Sequence, residues 1–370
     1  MQIIKEIYKD QLPLYPIEEF CPKENALYID IETTGLSKEK TSLYLIGCGY
    51  YKENDFVTKL FFADDPNEEL EILNKYIEFS KNFTHLFHFN GSKFDIPYLT
   101  YKAEKYNLGN IFENLEQVDV YQLSKPLRYL LFPMSMRQKC IEEFLNIKRN
   151  DMYNGGELIS VYHSYVKTQN KEDFEKLITH NLEDVLGMHK IMPILHFLKL
   201  KDTKLSYHGY EIKTYKDYNG NEQKEILFEY SFDEYLPLPF SSKTETMYLK
   251  VNNVEKKTIF RLPIYDDTKK LFFENYRDYY YLPSEDTCIH RSVAMGLDKK
   301  SYIKASKDTC YIKKTCDFIK EPGKIFTPVF KDSYKDKALY FAFPESFNLE
   351  KVDEFGRALL DVYFCKKPRK

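Results

Sequence analysis

Apolar and charged positions alternate along Ala26 to Glu32, and two more strand-like runs follow, from Leu43 to Tyr51 and from Phe56 to Phe62. A period of two is the mark of a half-buried strand, and the short polar turn from Lys52 to Asp55 joins the last two runs, so the pattern predicts a three-strand meander. The period then lengthens. Asp65, Pro66 and Glu68 form a helix start, with Asp65 as N-cap, Pro66 at the first helical position and Glu68 reaching back in capping-box fashion. Leu70, Leu73, Tyr76 and Ile77 keep helical spacing behind it. Thr84 to Asn90 reads as a fourth strand, Gly91 and Ser92 as a turn, and Phe94 to Tyr106 as a helix with Pro97 inside its first turn, where a missing N–H costs little. A further strand ends near Asp119. From there to about Leu200 the pattern is helical, closing with a long amphipathic segment from Lys171 that Asn170 caps and Pro193 limits.

Beyond about Lys201 the texture changes. Asn219-Gly220 and Asn252-Asn253 each lie between β-prone runs and signal hairpins. A helix is predicted from Ser284 through Ala294, followed by a basic segment with Lys304, Lys307, Lys313 and Lys314. Residues 1–24, with the Pro-containing stretch Leu12 to Pro16, read as an N-terminal extension, residues 25–200 as an α/β domain, and residues 201–370 as a β-rich α+β domain whose role the sequence leaves blank.

Composition adds limits. A chain of 370 residues, 43% hydrophobic and 30% charged, has room for two cores. There is no apolar leader and no run of about 18 apolar residues, so neither secretion nor a membrane is expected and the cytoplasm is the default. The seven cysteines, Cys21, Cys48, Cys140, Cys288, Cys310, Cys316 and Cys365, are odd in number and scattered, which suits reduced thiols. Cys288, His290, Cys310 and Cys316 could be written as zinc ligands, but their spacings are not those of structural zinc. A net charge of -3 neither advertises nor excludes a nucleic-acid binder, since the electrostatic footprint is a local patch. Aromatics do sit among cations, as from Lys213 to Tyr218 and from Tyr276 to Tyr281. Bases can stack on such rings while cations meet phosphates, though strands with aromatics inward and lysines outward give the same pattern.

Candidate chemistry lies in carboxylates. Alternation puts Asp30 and Glu32 on one face of the first strand, with Ile29 and Ile31 pointing into the packing. Like charges this close raise each other's pKa unless a cation sits between them, and a hard divalent ion is the usual solution. Asp95 follows a strand and turn at a helix start, while His180 and Asp184, four apart, share one face of the last helix. Four carboxylates can supply ligands for two ions about 3.5–4 Å apart, bridging the attacking and leaving oxygens of a phosphodiester, and a histidine can take the proton of the attacking water.

Asp30-x-Glu32, then Asn90-x3-Phe94-Asp95, then His180-Asn181-x2-Asp184 resemble the three motifs of the DEDD, or DnaQ-like, 3′–5′ exonucleases, and within them the YprB-like ribonuclease H-like proteins. The stretch from Ser135 to Arg149 resembles the one that links their second and third motifs, and the likeness spans about residues 25–199. It implies a mixed five-stranded sheet with an antiparallel second strand, flanked by helices. It implies Asp30, Glu32, Asp95 and Asp184 as ligands for two Mg2+ or Mn2+ ions, and His180 as general base. It also implies a DNA or RNA substrate whose terminal nucleotide meets Thr33, Thr34, Gly35 and Leu36. Asn90 and Lys93 are further candidates for nucleic-acid contacts. One departure stands out: such enzymes usually place the histidine five residues before the last aspartate, and His180 stands four before Asp184. Two other readings share these residues, an endonuclease of the same fold and a non-catalytic nucleic-acid-binding module. The second would be expected to have lost a carboxylate, and all four are present.

Overall fold

The computed structural model describes residues 1–132, 134–150, 153, 155–343 and 348–364; Cys365 lies outside them. The chain divides into two compact units, Met1–Arg128 with Phe132–Leu198, and Tyr129–Leu131 with Lys199–Lys370.

The first unit is built on a mixed sheet of β1 (Gln2–Tyr8), β2 (Ala26–Thr33), β3 (Leu43–Lys52), β4 (Asp55–Phe62), β5 (His85–His88) and β6 (Glu116–Asp119) in the order β1-β4-β3-β2-β5-β6. The meander β2-β3-β4 is antiparallel, and β5 and β6 join parallel to β2. The expected five strands are therefore present with a sixth. Residues 2–8, read from sequence as part of an irregular extension, pair along their whole length with β4. Their exposed pattern, with Ile3 and Ile7 half in solvent, is that of an edge strand and left little periodicity to detect.

Helices α1 (Glu69–Ser80), α2 (Asp95–Lys105), α3 (Val120–Ser124), α4 (Arg128–Leu131), α5 (Gln138–Phe144), α6 (Gly155–Thr168) and α7 (Lys171–Lys190) follow in chain order. Asp65 caps the 3-10 turn Pro66–Glu68 that opens into α1, accepting from the Asn67 amide, and Asn170 caps α7 through the Glu172 amide; Glu68 reaches back past the expected Asp65 to accept from the Asp64 amide. Ile29 and Ile31 enter a core shared with Leu45, Leu60, Leu73, Leu86 and Leu177. A buried ion pair braces the loop behind β2. Glu69 accepts from Lys102 at 2.7 Å and from the Leu43 amide at 2.8 Å, while Lys102 also donates to the Thr41 carbonyl at 2.6 Å. Burial alone would push the Glu69 carboxyl up, but the bonds from Lys102, Tyr106 and Leu43 prevail and hold it below its ordinary value.

The second unit carries a seven-stranded antiparallel sheet, of which β7 (Ser206–Lys216), β8 (Glu222–Ser231), β9 (Phe240–Lys243), β10 (Tyr248–Asn252) and β11 (Lys257–Phe272) come first. Asn219-Gly220 turns β7 into β8, and Asn252-Asn253 turns β10 into β11, as the hairpin signals predicted. A separate sheet of three strands holds β12 (Tyr279–Leu282), β13 (Thr287–His290) and β14 (Ile303–Lys304) in the order β13-β12-β14. Then come β15 (Tyr311–Glu321), β16 (Leu339–Ala342) and α8 (Leu349–Phe364), whose Val352, Phe355, Leu359 and Tyr363 are buried. The helix predicted from Ser284 to Ala294 is absent. That stretch is β13 and the start of a 3-10 turn at Val293–Gly296, because Thr287 to His290 pair across Tyr279 to Leu282 and tertiary pairing overrides a short helical pattern. Among the described residues no helix is long and apolar enough to cross a membrane.

Candidate active site

The site begins where the pairing of β2 changes. β5 pairs only with Ala26 to Tyr28, and the β2–β3 register shifts between Glu32 and Thr33. The strand thus carries Asp30 and Glu32 past the end of the β5 pairing and bends away after them. Gly47 stands across from Asp30 and Gly49 across from Tyr28. Their missing side chains let α7 approach the sheet: a Cβ on Gly47 would lie 1.9 Å from Asn181 Oδ1, and one on Gly49 would lie 2.7 Å from a Val185 methyl.

Along α7, His180, Asn181 and Asp184 turn toward this floor. Asn181 is fully buried, and its Nδ2 donates to Asp30 Oδ2 at 2.7 Å. His180 Nε2 lies 3.5 Å from Glu32 Oε1 and 3.4 Å from Asp184 Oδ2. Ligand atoms of Glu32, His180 and Asp184 all fall within 4.8 Å of one another, a spacing that could hold a metal ion. Gly47→Ala is expected to force Asn181 off Asp30, lowering the melting temperature together with any activity. A wild-type melt from this variant would show that α7 is less tightly seated than the geometry indicates.

Asp95 is the first residue of α2, and the turn before it is held from behind. Asn90 adopts the left-handed conformation, and its amide donates to Asp119 Oδ1 at 2.9 Å. Ser92 Oγ donates to Asp119 Oδ2 at 2.7 Å, and the same carboxylate caps α3 through the Gln122 amide. Gly91 sits over the His88 ring, where a Cβ would be 2.9 Å from it.

The carboxylates feel one another. Burial, then Asp184, Asp95 and Glu32, push the Asp30 carboxyl well above its ordinary value, while the Asn181 bond opposes them. Asp95 is pushed up to about 6, by burial first and by the charges of Asp119 and Asp184, against the pull of backbone groups at Asp95 and Ile31. Beside Asp184 stands a cation. Arg149 donates to Asp184 Oδ1 at 2.7 Å and to both oxygens of the buried Glu142 at 3.1 Å. Gln138 adds bonds to Glu142 at 2.9 Å and to the Asp184 carbonyl at 2.8 Å. Gly187 leaves room for this cluster, since a Cβ there would lie 2.0 Å from Glu142 Oε1.

The loop after β2 is tied down. Thr34 and Ser42 bond reciprocally, Thr33 Oγ1 and Thr41 Oγ1 both donate to the Gly35 carbonyl, and Leu36 stands 86% exposed beside them. Lys93 is exposed; its amide donates to the Asn90 carbonyl, and its ammonium makes no hydrogen bond or ion pair among the described residues. Glu183 points elsewhere, accepting from the Asn150 amide at 2.9 Å. His85 pairs with Glu116, and His88 is buried under Gly91. The four residues written above as zinc ligands do not converge. The Cys288 and Cys310 sulfurs are 3.9 Å apart in one small core, while Cys316 packs with Phe318 and Phe330 in another. Asn181 was read as a motif position and Ser135 to Arg149 as a linking stretch, but sequence reasoning gave neither its supporting role: Asn181 under Asp30, and Arg149 with Glu142 beside Asp184. The glycines of Gly47-Cys48-Gly49 were the available signal, because glycine inside a strand marks a close backbone approach.

No curated protein sequence matches the chain. Solved structures similar to it include the family B DNA polymerase of the hyperthermophilic archaeon Pyrobaculum calidifontis, at 16% identity and a TM-score of 0.39, covering 49% of this chain and 26% of the polymerase. NrnC of Brucella melitensis matches at 16% identity and a TM-score of 0.28, covering 53% of this chain and 81% of NrnC. Exonuclease I of E. coli, in complex with a dA16 oligonucleotide, matches at 13% identity and a TM-score of 0.27, covering 56% of this chain and 54% of that one. The chain thus spans about a quarter of the polymerase and about half of exonuclease I. Residues 27–196 match the family model RNase_H_2, of the RNase_H superfamily. That segment, which contains β3 to β6 and nearly all of β2, the four acidic positions and His180, is similar to the ribonuclease H superfamily and has a ribonuclease H-like fold.

Proposed function

We propose that this protein is a divalent-metal-dependent nuclease, acting as a 3′–5′ exonuclease on single-stranded DNA or RNA. The observation that carries the reading is the convergence of Glu32, His180 and Asp184 within 4.8 Å, beside an Asp30 carboxyl that its acidic neighbours push well up. The residues fit divalent ions. Asp30 and Asp95 keep a raised proton affinity even with Arg149 close to Asp184, an imbalance that a hard cation bound to oxygen ligands corrects. Asp30, Glu32, Asp95 and Asp184 would hold Mg2+ or Mn2+. Bound there, two such ions supply charge stabilisation for the phosphodiester and a lowered pKa for water.

The chain's own groups supply the rest. Asn181 orients the Asp30 carboxylate, and Arg149 fixes one oxygen of Asp184 while the other faces His180. His180 takes the proton of the attacking water at Nε2. Thr33, Thr34 and Gly35 meet the terminal nucleotide through a loop already braced by Thr41 and Ser42, and the exposed Leu36 side chain rests against its base. Asn90 and Lys93, on the turn before Asp95, lie toward the phosphate backbone of the substrate.

A linear single strand is expected to be degraded in the presence of Mg2+ or Mn2+ and to survive with chelator, while its covalently closed circle survives in both. Degradation of the circle would favour the endonuclease reading, and no turnover of either with metal present would favour the binding module. His180→Gln is expected to lower kcat by about 10²–10⁴ and to flatten the acid limb of the pH–rate profile, with metal affinity retained. Lost metal affinity would instead make His180 a ligand.

A further inference from the structure

We infer that the outer face of the three-stranded β13-β12-β14 sheet is a stacking platform for single-stranded nucleic acid, separate from the metal site. Alternation along β12 sends Tyr279 and Tyr281 against Cys288, Ala305 and Cys310, which make the small core of this sheet. Tyr280 therefore faces the other way, and it is not alone there. Its ring lies 4.5 Å from that of Tyr302, the Arg291 guanidinium sits 5.4 Å above it, and Lys304 is its direct partner on β14. Lys299 and Lys300 occupy the turn that leads into β14, and both are exposed.

None of these four cations makes an ion pair among the described residues. The acidic residue of that turn, Asp298, is engaged locally, accepting from the Lys300 amide. Two aromatic rings outside the core, one capped by a guanidinium and both rimmed by lysines, match what an unpaired strand offers: π faces along a line of phosphates. A folded acidic protein would complement the charge but not the paired rings. A duplex hides its base faces. The reading of the metal site gives this face a reason to meet such a strand, but the geometry stands without it.

The test is fluorescence anisotropy of the full chain, in chelator so that nothing is cut, with labelled thymidine and uridine strands of about 20 nucleotides, long enough to cover a typical site. Tyr280→Ala/Tyr302→Ala is expected to weaken binding by about tenfold or more, and Tyr280→Phe/Tyr302→Phe to retain it. Lys299→Ala/Lys300→Ala/Lys304→Ala is expected to lower the dependence of log affinity on log salt by about 2. Equal affinity of the alanine ring variant and wild type, or equal binding of a blunt duplex, overturns the platform. No binding of either strand by the wild type also overturns it and leaves the face to a protein partner. Hydrolysis of a dinucleotide, assayed with Mn2+, separates the two readings. The ring variant should cleave it as wild type does, so strand binding without any such cleavage leaves the platform standing and removes the nuclease.

Discussion

Asp30→Asn is expected to abolish hydrolysis and, in the same preparation, to raise the melting temperature of the metal-free protein. The two effects have one cause. Asp30 is largely withdrawn from water among Asp184, Asp95 and Glu32, so its charge is costly until a cation arrives, and its proton affinity rises accordingly. Asparagine keeps an oxygen that can accept from Asn181 and removes the charge. The sign of the pH dependence follows. A carboxyl whose pKa is raised on folding favours the folded state while both states are protonated, and that advantage is lost as pH climbs through the folded-state value. For Asp95 the window runs from about 4, its unfolded value, to about 6. Melts in chelator should therefore fall by roughly 3–6 °C between pH 4.5 and pH 7, and Asp95→Asn should flatten part of that slope. Saturating Mg2+ or Mn2+ should reverse the order, stabilising the wild type and not the Asp30 variant. A metal-free Asp30→Asn protein that melts lower than wild type would refute the crowding of charge.

Arg149→Ala is expected to cost about 3–5 kcal/mol of stability, because it strands Glu142, only 1% exposed, beside Asp184 without the shared cation. Lysine should restore little, since one ammonium cannot reproduce the donors that reach Glu142 and Asp184 together. Denaturant unfolding measures the cost, and a cycle with Glu142→Gln apportions it. If Glu142→Gln/Arg149→Ala is as unstable as Arg149→Ala alone, the loss comes from somewhere other than the stranded carboxylate. Activity offers a second reading, as Asp184 should lose its fixed orientation and metal affinity should fall even where the fold survives.

The first unit was legible because its chemistry and its packing share one periodicity. Ile29 and Ile31 turn inward, Asp30 and Glu32 turn outward, and the same alternation that predicted the strand also paired the carboxylates. Asp65 and Asn170 declared the helix starts in the same way, through side chains that bond only to their own neighbours. What could not be read was contact made across distance. Arg149 and Glu142 are seven apart in sequence with no common helix face, and they meet Asp184 because α5 packs against α7. β1 went unseen because an exposed edge strand needs no apolar alternation. In the second unit, Thr287 to His290 took strand form from Tyr279 to Leu282 across the sheet, information that the helical pattern around them does not hold.

Gly47 and Gly49 have a mechanical consequence. With no strand side chain at these two positions, Asn181 and Val185 of α7 rest directly on the β3 backbone, so the height of the helix above the sheet is set by close contact. A substitution that shifts α7 is therefore expected to change the gap between the strand's acidic pair and Asp184.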